Sequence, residues 1–277
     1  MADLGILKIN PNKALWEKGD FTRIAETMRD SGERLVAELG ITPGMTVLDL
    51  GCGDGTTALP AARLGAEVLG IDIAENLVAA GKVRAAAASL GNLSFRQGDA
   101  SRLAGVADAS FDLVVSVFGA MFAPQPFDVA REMVRVTRPG GRIVMGNWIP
   151  GDPTLVAQIL KVSAAYTPPP PEGFVSPMTW GDEPQVRLRF EAAGIQPANI
   201  AFERATWVFR CPGPPSELLA IFREYYGPTM NAFDAAARDG RADQLAEELE
   251  ALFAAQNQGG ESTEIPATFL KVTATKD

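Results

Sequence analysis

The 277-residue chain contains no histidine. That absence removes Ser-His-Asp and Cys-His nucleophile systems, histidine metal sites and the commonest general base. Cysteine is nearly absent too, and Cys52 with Cys211 makes no disulfide framework. A basic surplus is missing: 25 Lys and Arg against 34 Asp and Glu leave a net charge of −9. Such a chain lacks the footprint that releases counterions from nucleic acid, and an anionic membrane surface repels it on average. There is no long hydrophobic run. The longest, over 113–123, contains Ser116 and Gly119 and is too short to span a bilayer. The opening MADLGILKIN lacks the basic-then-apolar layout of a secretory signal. These absences predict a cytoplasmic protein without nucleic-acid or membrane partners.

What is present is an ordinary globular composition, 47% hydrophobic and 21% charged. A folded chain of this mass exposes roughly 11,500 Å² of the about 42,600 Å² it exposes when extended, so its core needs no staple. Short apolar or β-branched runs at 46–50, 67–71, 93–96, 111–117 and 142–147 predict strands, and helical spacing at 57–64, 75–90 and 126–136 predicts helices between them. Several of these strands are apolar throughout, as in a parallel sheet covered on both faces. Upstream, spacing across 20–39 predicts one helix stopped by Gly40. Beyond Trp148 come predicted helices over 154–166 and 183–193, joined through the stiff Pro168-Pro169-Pro170-Pro171 run. Strands over 199–210 and 267–275 follow, with an acidic helical stretch over 214–258 between them. The expected fold is α/β, a doubly wound, mostly parallel seven-stranded sheet whose last two strands form a hairpin. The expected organisation is a single domain, 1–277, with a cofactor-binding core over about 40–148 and helical lid segments over about 1–39, 149–181 and 212–260.

The most informative segment is Val47-Leu48-Asp49-Leu50-Gly51-Cys52-Gly53-Asp54-Gly55, a strand running into a glycine-rich turn that opens a helix. Glycine lets backbone approach a ligand closely and adopt positive φ. A dinucleotide fingerprint, G-x-G-x-x-G/A, fails because Thr56 occupies the sixth position, whereas the tighter G-x-G-x-G suits a nucleoside without a pyrophosphate. Asp72 ends the next strand, where a carboxylate accepts from both ribose hydroxyls, and Asp99 follows the third strand, within reach of an adenine amino group. Alone, either acid serves equally as a turn or cap residue. Together with the loop they mark the carboxyl edge of the sheet, where ligands of open α/β sheets bind.

In order, Asp49-x-Gly51-x-Gly53-x-Gly55, Gly70-Ile71-Asp72, Gly98-Asp99-Ala100, Phe111-Asp112-Leu113-Val114-Val115 and Arg138-Pro139-Gly140-Gly141 resemble the class I S-adenosylmethionine-dependent methyltransferases. Within these the chain is most similar to the ubiquinone/menaquinone biosynthesis-type (type 11) small-molecule branch, over about residues 12–148. The resemblance implies a Rossmann-like methyltransferase fold. It also implies S-adenosylmethionine as cofactor, S-adenosylhomocysteine as product, no metal and a small-molecule acceptor. Gly51 and Gly53 would face the methionine portion, with Asp49 supporting the loop and Cys52 a small residue inside it. Asp72 would hold the ribose, Ile73 would pack on the adenine, and Asp99 with Ala100 would read its edge. Ser116 and Val117 would lie beside the transferred methyl. Trp16-Glu17-Lys18-Gly19-Asp20-Phe21 is similar to the helix that covers the cofactor in many such enzymes, placing Trp16 and Phe21 over it.

Methyl transfer from a sulfonium is an in-line displacement on an activated carbon, which needs alignment and exclusion of water more than a base. Histidine is therefore dispensable. If a base or positioning group is needed, Asp20, Glu183, Glu224, Tyr225 and Tyr226 are the available types, and no catalytic residue is singled out. Candidate acceptor-pocket walls are Phe118, Met121 and Phe122 after the fourth strand, Trp148 after the fifth, and Trp180 with the two tyrosines from the lid. Two other readings stay open: an S-adenosylmethionine-binding sensor without turnover, and a nicotinamide-dependent oxidoreductase, against which Thr56 stands. A homodimer also stays open.

Overall fold

The computed structural model describes residues 12–277, so residues 1–11 of the expected lid lie outside the described residues. Strands β1 (Thr46–Leu50), β2 (Glu67–Asp72), β3 (Leu93–Gln97), β4 (Phe111–Val117) and β5 (Thr137–Trp148) pair in parallel. Strands β6 (Ile200–Cys211) and β7 (Thr263–Thr275) join as an antiparallel pair, with β7 against β5. The order is β3-β2-β1-β4-β5-β7-β6, the doubly wound seven-stranded arrangement that the alternating runs predict. Strand order reverses between β1 and β4, which opens a crevice at their carboxyl ends.

Successive residues of a strand point to opposite faces, and the chain fills both. Val47, Val68 and Val115 pack into a core beneath α3 (Arg29–Glu38), α4 (Ala58–Arg63) and α5 (Glu75–Ala87). Leu48, Ile71 and Val114 belong to a second core with α6 (Pro126–Val136) and α8 (Glu183–Ala192). That core continues into α7 (Leu155–Ala164), α9 (Pro215–Tyr225), α10 (Gly227–Arg238) and α11 (Ala242–Gln256), which pack on one another. The acidic α11 buries Leu245, Leu249 and Phe253. No helix among the described residues is long and apolar enough to cross a membrane.

Three boundaries differ from those the sequence predicts. The helix expected over 20–39 is two, α2 (Phe21–Glu26) and α3, preceded by α1 (Asn12–Glu17). The break at Thr27 is held by a tertiary bond, Arg210 N donating to Thr27 O at 2.8 Å. β5 begins at Thr137 because the Arg138–Gly141 turn is itself drawn into the ladder, across an irregularity between Phe111 and Leu113. β7 begins at Thr263 despite Pro266, since β5 pairs only from Phe269 onward. Pro266 faces β6 on one edge alone, where a missing N–H is tolerated.

Candidate functional site

The loop between β1 and α4 is fixed by backbone from β2 and β4. Gly51 N and Cys52 N both donate to Ile71 O, at 2.7 and 3.1 Å. Gly51 has φ +71°, and a Cβ there would stand 2.6 Å from Gly119 Cα, so two backbones touch where β1 and β4 end. Gly53 differs. Its φ is +54°, but a Cβ would meet nothing nearer than a Phe21 ring carbon at 4.0 Å, because it would project into open space. That space is a cavity of about 930 Å³, open to solvent on one side. Its floor is the loop from Leu50 to Thr57, and its sides include Asp72 and Ile73 after β2, Gly98 and Ala100 after β3, and Val117 to Ala120 after β4.

Three carboxylates organise this floor. Asp72 accepts from Gly53 N at 2.8 Å through one oxygen and from Ala74 N at 2.9 Å through the other, and it lines the cavity. Burial pushes its carboxyl up, opposed by the backbone N–H groups of Ala74, Gly53 and Ile73. Asp49 is 1% exposed. One oxygen accepts from the Thr57 hydroxyl, and the other has no hydrogen-bond partner among the described residues. Burial raises its pKa to about 7, with the Thr57 hydroxyl and the Ala58 N–H opposing the shift and the Asp72 charge adding to it. Asp54, 2% exposed, is clamped by Arg29 through both oxygens, and Arg84 donates to its carbonyl at 2.7 Å. This fork is the strong form of ion pair and ties α3 and α5 to the loop.

The exit of β4 carries backbone strain. Phe118 has φ +57°, an outlier for a bulky side chain. Its ring stacks on Trp148 at 3.6 Å and 6°, with Trp207 edge-on at 5.1 Å. Ser116 braces the turn, donating to Leu50 O at 2.6 Å and accepting from Ala120 N at 3.0 Å. Behind Phe118 lies a smaller chamber, about 440 Å³ with the part open to solvent included, walled by apolar and aromatic side chains.

The N-terminal helices close over both spaces. Gly19 lies so near Tyr225 O that a Cβ would stand 2.2 Å from it, and at Gly227 a Cβ would stand 2.4 Å from Leu15 O. These close approaches seat the strap on the α9–α10 joint. They bring Trp16 edge-on to Phe122 at 4.8 Å and to Phe21 at 5.5 Å, with Tyr226 at 5.9 Å. Glu17 accepts from Glu75 N at 3.0 Å, satisfying the start of α5, and Lys18 pairs with Asp234 at 2.6 Å.

Residues 48–145 match the family described as Methyltransferase domain. The uncharacterized protein Rv1403c of Mycobacterium tuberculosis is 34% identical over 223 residues, 80% of this chain and 79% of that one. The chain belongs to the class I S-adenosylmethionine-dependent methyltransferases. A demethylmenaquinone methyltransferase of Beutenbergia cavernae is 42% identical over 110 residues, 40% of this chain and 43% of its own length. A Haemonchus contortus phosphoethanolamine N-methyltransferase 2, solved with phosphomonomethylethanolamine and S-adenosylhomocysteine, superposes with a TM-score of 0.57 at 16% identity. That superposition covers 89% of this chain and 52% of the other, and it is a likeness of fold.

The residues present in this methyltransferase fit an adenosyl ligand: an uncrowded glycine and a fixed carboxylate share one crevice. Of the residues predicted for the cofactor, Trp16, Phe21, Gly51, Cys52, Gly53, Asp72, Ile73, Ala100 and Val117 line the larger cavity. Asp49 sits beneath the loop. Asp99 is not on the wall: its oxygen accepts from Ser101 N and Oγ, leaving Gly98 and Ala100 to form that side. Ser116 is not on the wall either, because its hydroxyl is taken up by backbone. The Cys52 thiol donates to Gly53 O, and burial pushes its pKa up, which fits a small loop residue and not a nucleophile.

For the acceptor pocket, Phe118, Phe122, Trp148 and Tyr226 line the inner chamber. Met121 is buried without reaching either space, and Trp180 packs beneath Arg189 against β5. Asp20 is an exposed helix cap, accepting from Thr22 N at 3.1 Å. Glu183 and Glu224 are exposed, and Tyr225 is half-buried outside both cavities, with Arg23 over its ring. Sequence reasoning missed Asp54 with Arg29 and Arg84, a clamp whose acid stands inside the quoted loop. It also missed Met28 and Trp207, which line the larger cavity and come from segments whose proximity only the fold creates.

Proposed function

We propose that this methyltransferase moves a methyl group from S-adenosylmethionine to a small, partly apolar metabolite, at an O, N or C atom, by in-line displacement. When bound, S-adenosylmethionine supplies a methyl already activated on a sulfonium. Everything else falls to the chain. Asp72 holds the ribose, Ile73 and Ala100 flank the base with Asp99 bracing their turn, and the loop from Gly51 to Gly53 cradles the amino-acid end above Asp49. Val117 and Phe118 bound the space where the methyl lies. Trp16 and Phe21 close the top and exclude water, so helices α1, α2, α7 and α9–α11 act as a lid over the core of about 40–148. Aligning two reactants in a dry site supplies the greater part of such an acceleration.

The observation that carries this reading is the Asp72 carboxylate on the cavity wall, both oxygens fixed by backbone N–H groups and next to the uncrowded Gly53. Among the relatives, the demethylmenaquinone methyltransferase and a nocamycin O-methyltransferase of Saccharothrix syringae are named for acceptors other than protein or nucleic acid, which supports a small-molecule acceptor. Calorimetry with S-adenosylhomocysteine tests the donor site. Charged hydrogen bonds contribute about 1.5–3 kcal/mol each, so Asp72→Ala weakens binding roughly 10- to 150-fold. Unchanged affinity in a variant with native circular dichroism overturns the ribose assignment. Labelled-methyl transfer into a lysate of the source organism tests turnover. A donor bound without any labelled product makes the protein a binder and not a catalyst.

A further inference from the structure

The inner chamber touches the larger cavity through Trp16, Phe21, Met28, Phe118 and Phe122, which line both. It differs in chemistry. The larger cavity has Asp54 and Asp72 on its wall, whereas none of the described residues lining the chamber is a carboxylate, lysine or arginine. Of the described lining residues, Trp16, Trp148 and Tyr226 carry a hydrogen-bonding side-chain group. Tyr226 is fixed by its neighbours: Phe222 meets its ring at 5.3 Å, Trp16 at 5.9 Å and Phe21 at 6.2 Å. No hydrogen bond from a described residue reaches its hydroxyl.

We propose that this chamber is the acceptor site, that it selects an uncharged, flat, apolar molecule, and that Tyr226 is the specificity-determining residue, donating a hydrogen bond to one oxygen of that guest. The proposal rests on the methyltransferase reading above and narrows its substrate class. An ionised guest entering a low-dielectric space without a partner loses its hydration and gains nothing back. A neutral aromatic guest loses little and gains contact with Phe118, Phe122 and Trp148, whose faces favour offset or edge packing. Burial pushes the Tyr226 phenol well above its ordinary pKa, so it keeps its proton at neutral pH and orients the guest without deprotonating it. With no carboxylate among the described residues of the chamber wall, the acceptor atom is one that needs no proton removed by the protein before it attacks.

The test uses the full chain at pH 7 and four probes of one shape: naphthalene, 2-naphthol, 2-naphthoate and 2-naphthylmethylammonium. Binding is read from the fluorescence of Trp16 and Trp148, with and without S-adenosylhomocysteine. The expected result is that 2-naphthol binds and both charged probes bind at least about 10-fold more weakly. Tyr226→Phe then weakens 2-naphthol about 5- to 10-fold and leaves naphthalene unchanged, which a merely structural role for the tyrosine would not produce. Ile159→Trp, which fills the chamber, removes 2-naphthol binding while S-adenosylhomocysteine binds as before. Charged probes binding as well as 2-naphthol overturn the proposal. So does an equal loss of naphthalene and 2-naphthol in Tyr226→Phe, or no neutral probe binding to a protein that takes up S-adenosylhomocysteine. Failure of S-adenosylhomocysteine itself to bind overturns the donor reading, and the ratio of 2-naphthol to 2-naphthoate still decides the chamber's charge preference.

Discussion

Asp49→Asn isolates the most costly group beneath the glycine loop. The folded carboxyl is raised to about 7 from an ordinary value of 3.8, chiefly because burial disfavours its charge. The sign follows from proton counting. Between about pH 4 and 7 the folded state holds a proton at Asp49 that the unfolded chain has released, so stability falls as pH rises through this window and levels off above it. The slope from this group alone is about 1.4 kcal/mol per pH unit, and the whole window amounts to about 4 kcal/mol. Asparagine keeps an oxygen for the Thr57 hydroxyl and has no charge to desolvate. Any change of shape adds a pH-independent offset. Asp72 is raised by burial as well, while Glu132 is lowered by Arg135, and both remain in the variant. Subtracting the two stability curves therefore removes them. Urea unfolding of the ligand-free protein at intervals from pH 4.5 to 8.5 gives those curves. The variant should gain on the wild type as pH rises to about 7 and then hold its lead. A difference that stays flat across the window refutes the buried, half-unpartnered placement of Asp49.

Two further substitutions probe the same loop. Gly53→Ala should cost only the about 1–2 kcal/mol of a left-handed alanine, yet weaken S-adenosylhomocysteine at least about 10-fold, because its methyl projects into the cavity. Gly51→Ala adds a backbone collision 2.6 Å from Gly119 Cα, so it should lose more stability than Gly53→Ala in the same urea titration. Arg29→Met leaves the buried Asp54 carboxylate with Arg84 alone and should cost about 2–4 kcal/mol. Adding Asp54→Asn should recover part of that loss, and a strictly additive double-mutant cycle would show that the clamp does not couple.

The sheet was legible because its central strands, β4 above all, are largely apolar runs buried on both faces. Both β1 and β4 were bounded correctly from pattern alone. The floor of the cavity was legible for a related reason: glycines at Gly51 and Gly53 are required by positive φ, and that requirement is written in local sequence. The lid and the walls of the inner chamber resisted. Residues 20–39 carry one helical period, and only the distant Arg210 N, reaching Thr27 O, reveals a break. Met121 and Phe122 are adjacent apolar residues on one short 3-10 turn, and nothing in their identities tells that the first fills core while the second lines a cavity. Asp20, Glu183 and Tyr225 were plausible by residue type alone. Their exclusion from the site depends on which way the lid folds back.

Several local rules are broken near the crevice. Among the described residues Asp49 buries an oxygen with no partner, Phe118 holds a bulky side chain at φ +57°, Gly51 and Gly119 touch backbone to backbone, and the Trp207 indole N–H is buried unpartnered. Each departure is unfavourable on its own, of the order of 1–3 kcal/mol for a strained or unsatisfied group. A sequence free to optimise stability has easy remedies at most of these positions, such as Asn at 49 or Gly at 118. These four gather around the carboxyl ends of β1 and β4, where the larger cavity opens. Strain of this kind persists where surrounding structure over-determines it, and here the surroundings are the Ser116 brace, the Asp54 clamp and the aromatic stack on Trp148. The Ser116 brace lies off both cavity walls, whereas the Asp54 clamp and the Phe118–Trp148 stack also line them. All three hold the groups that face the cavity in positions those groups would not choose, which is the physical meaning of preorganisation for an in-line transfer.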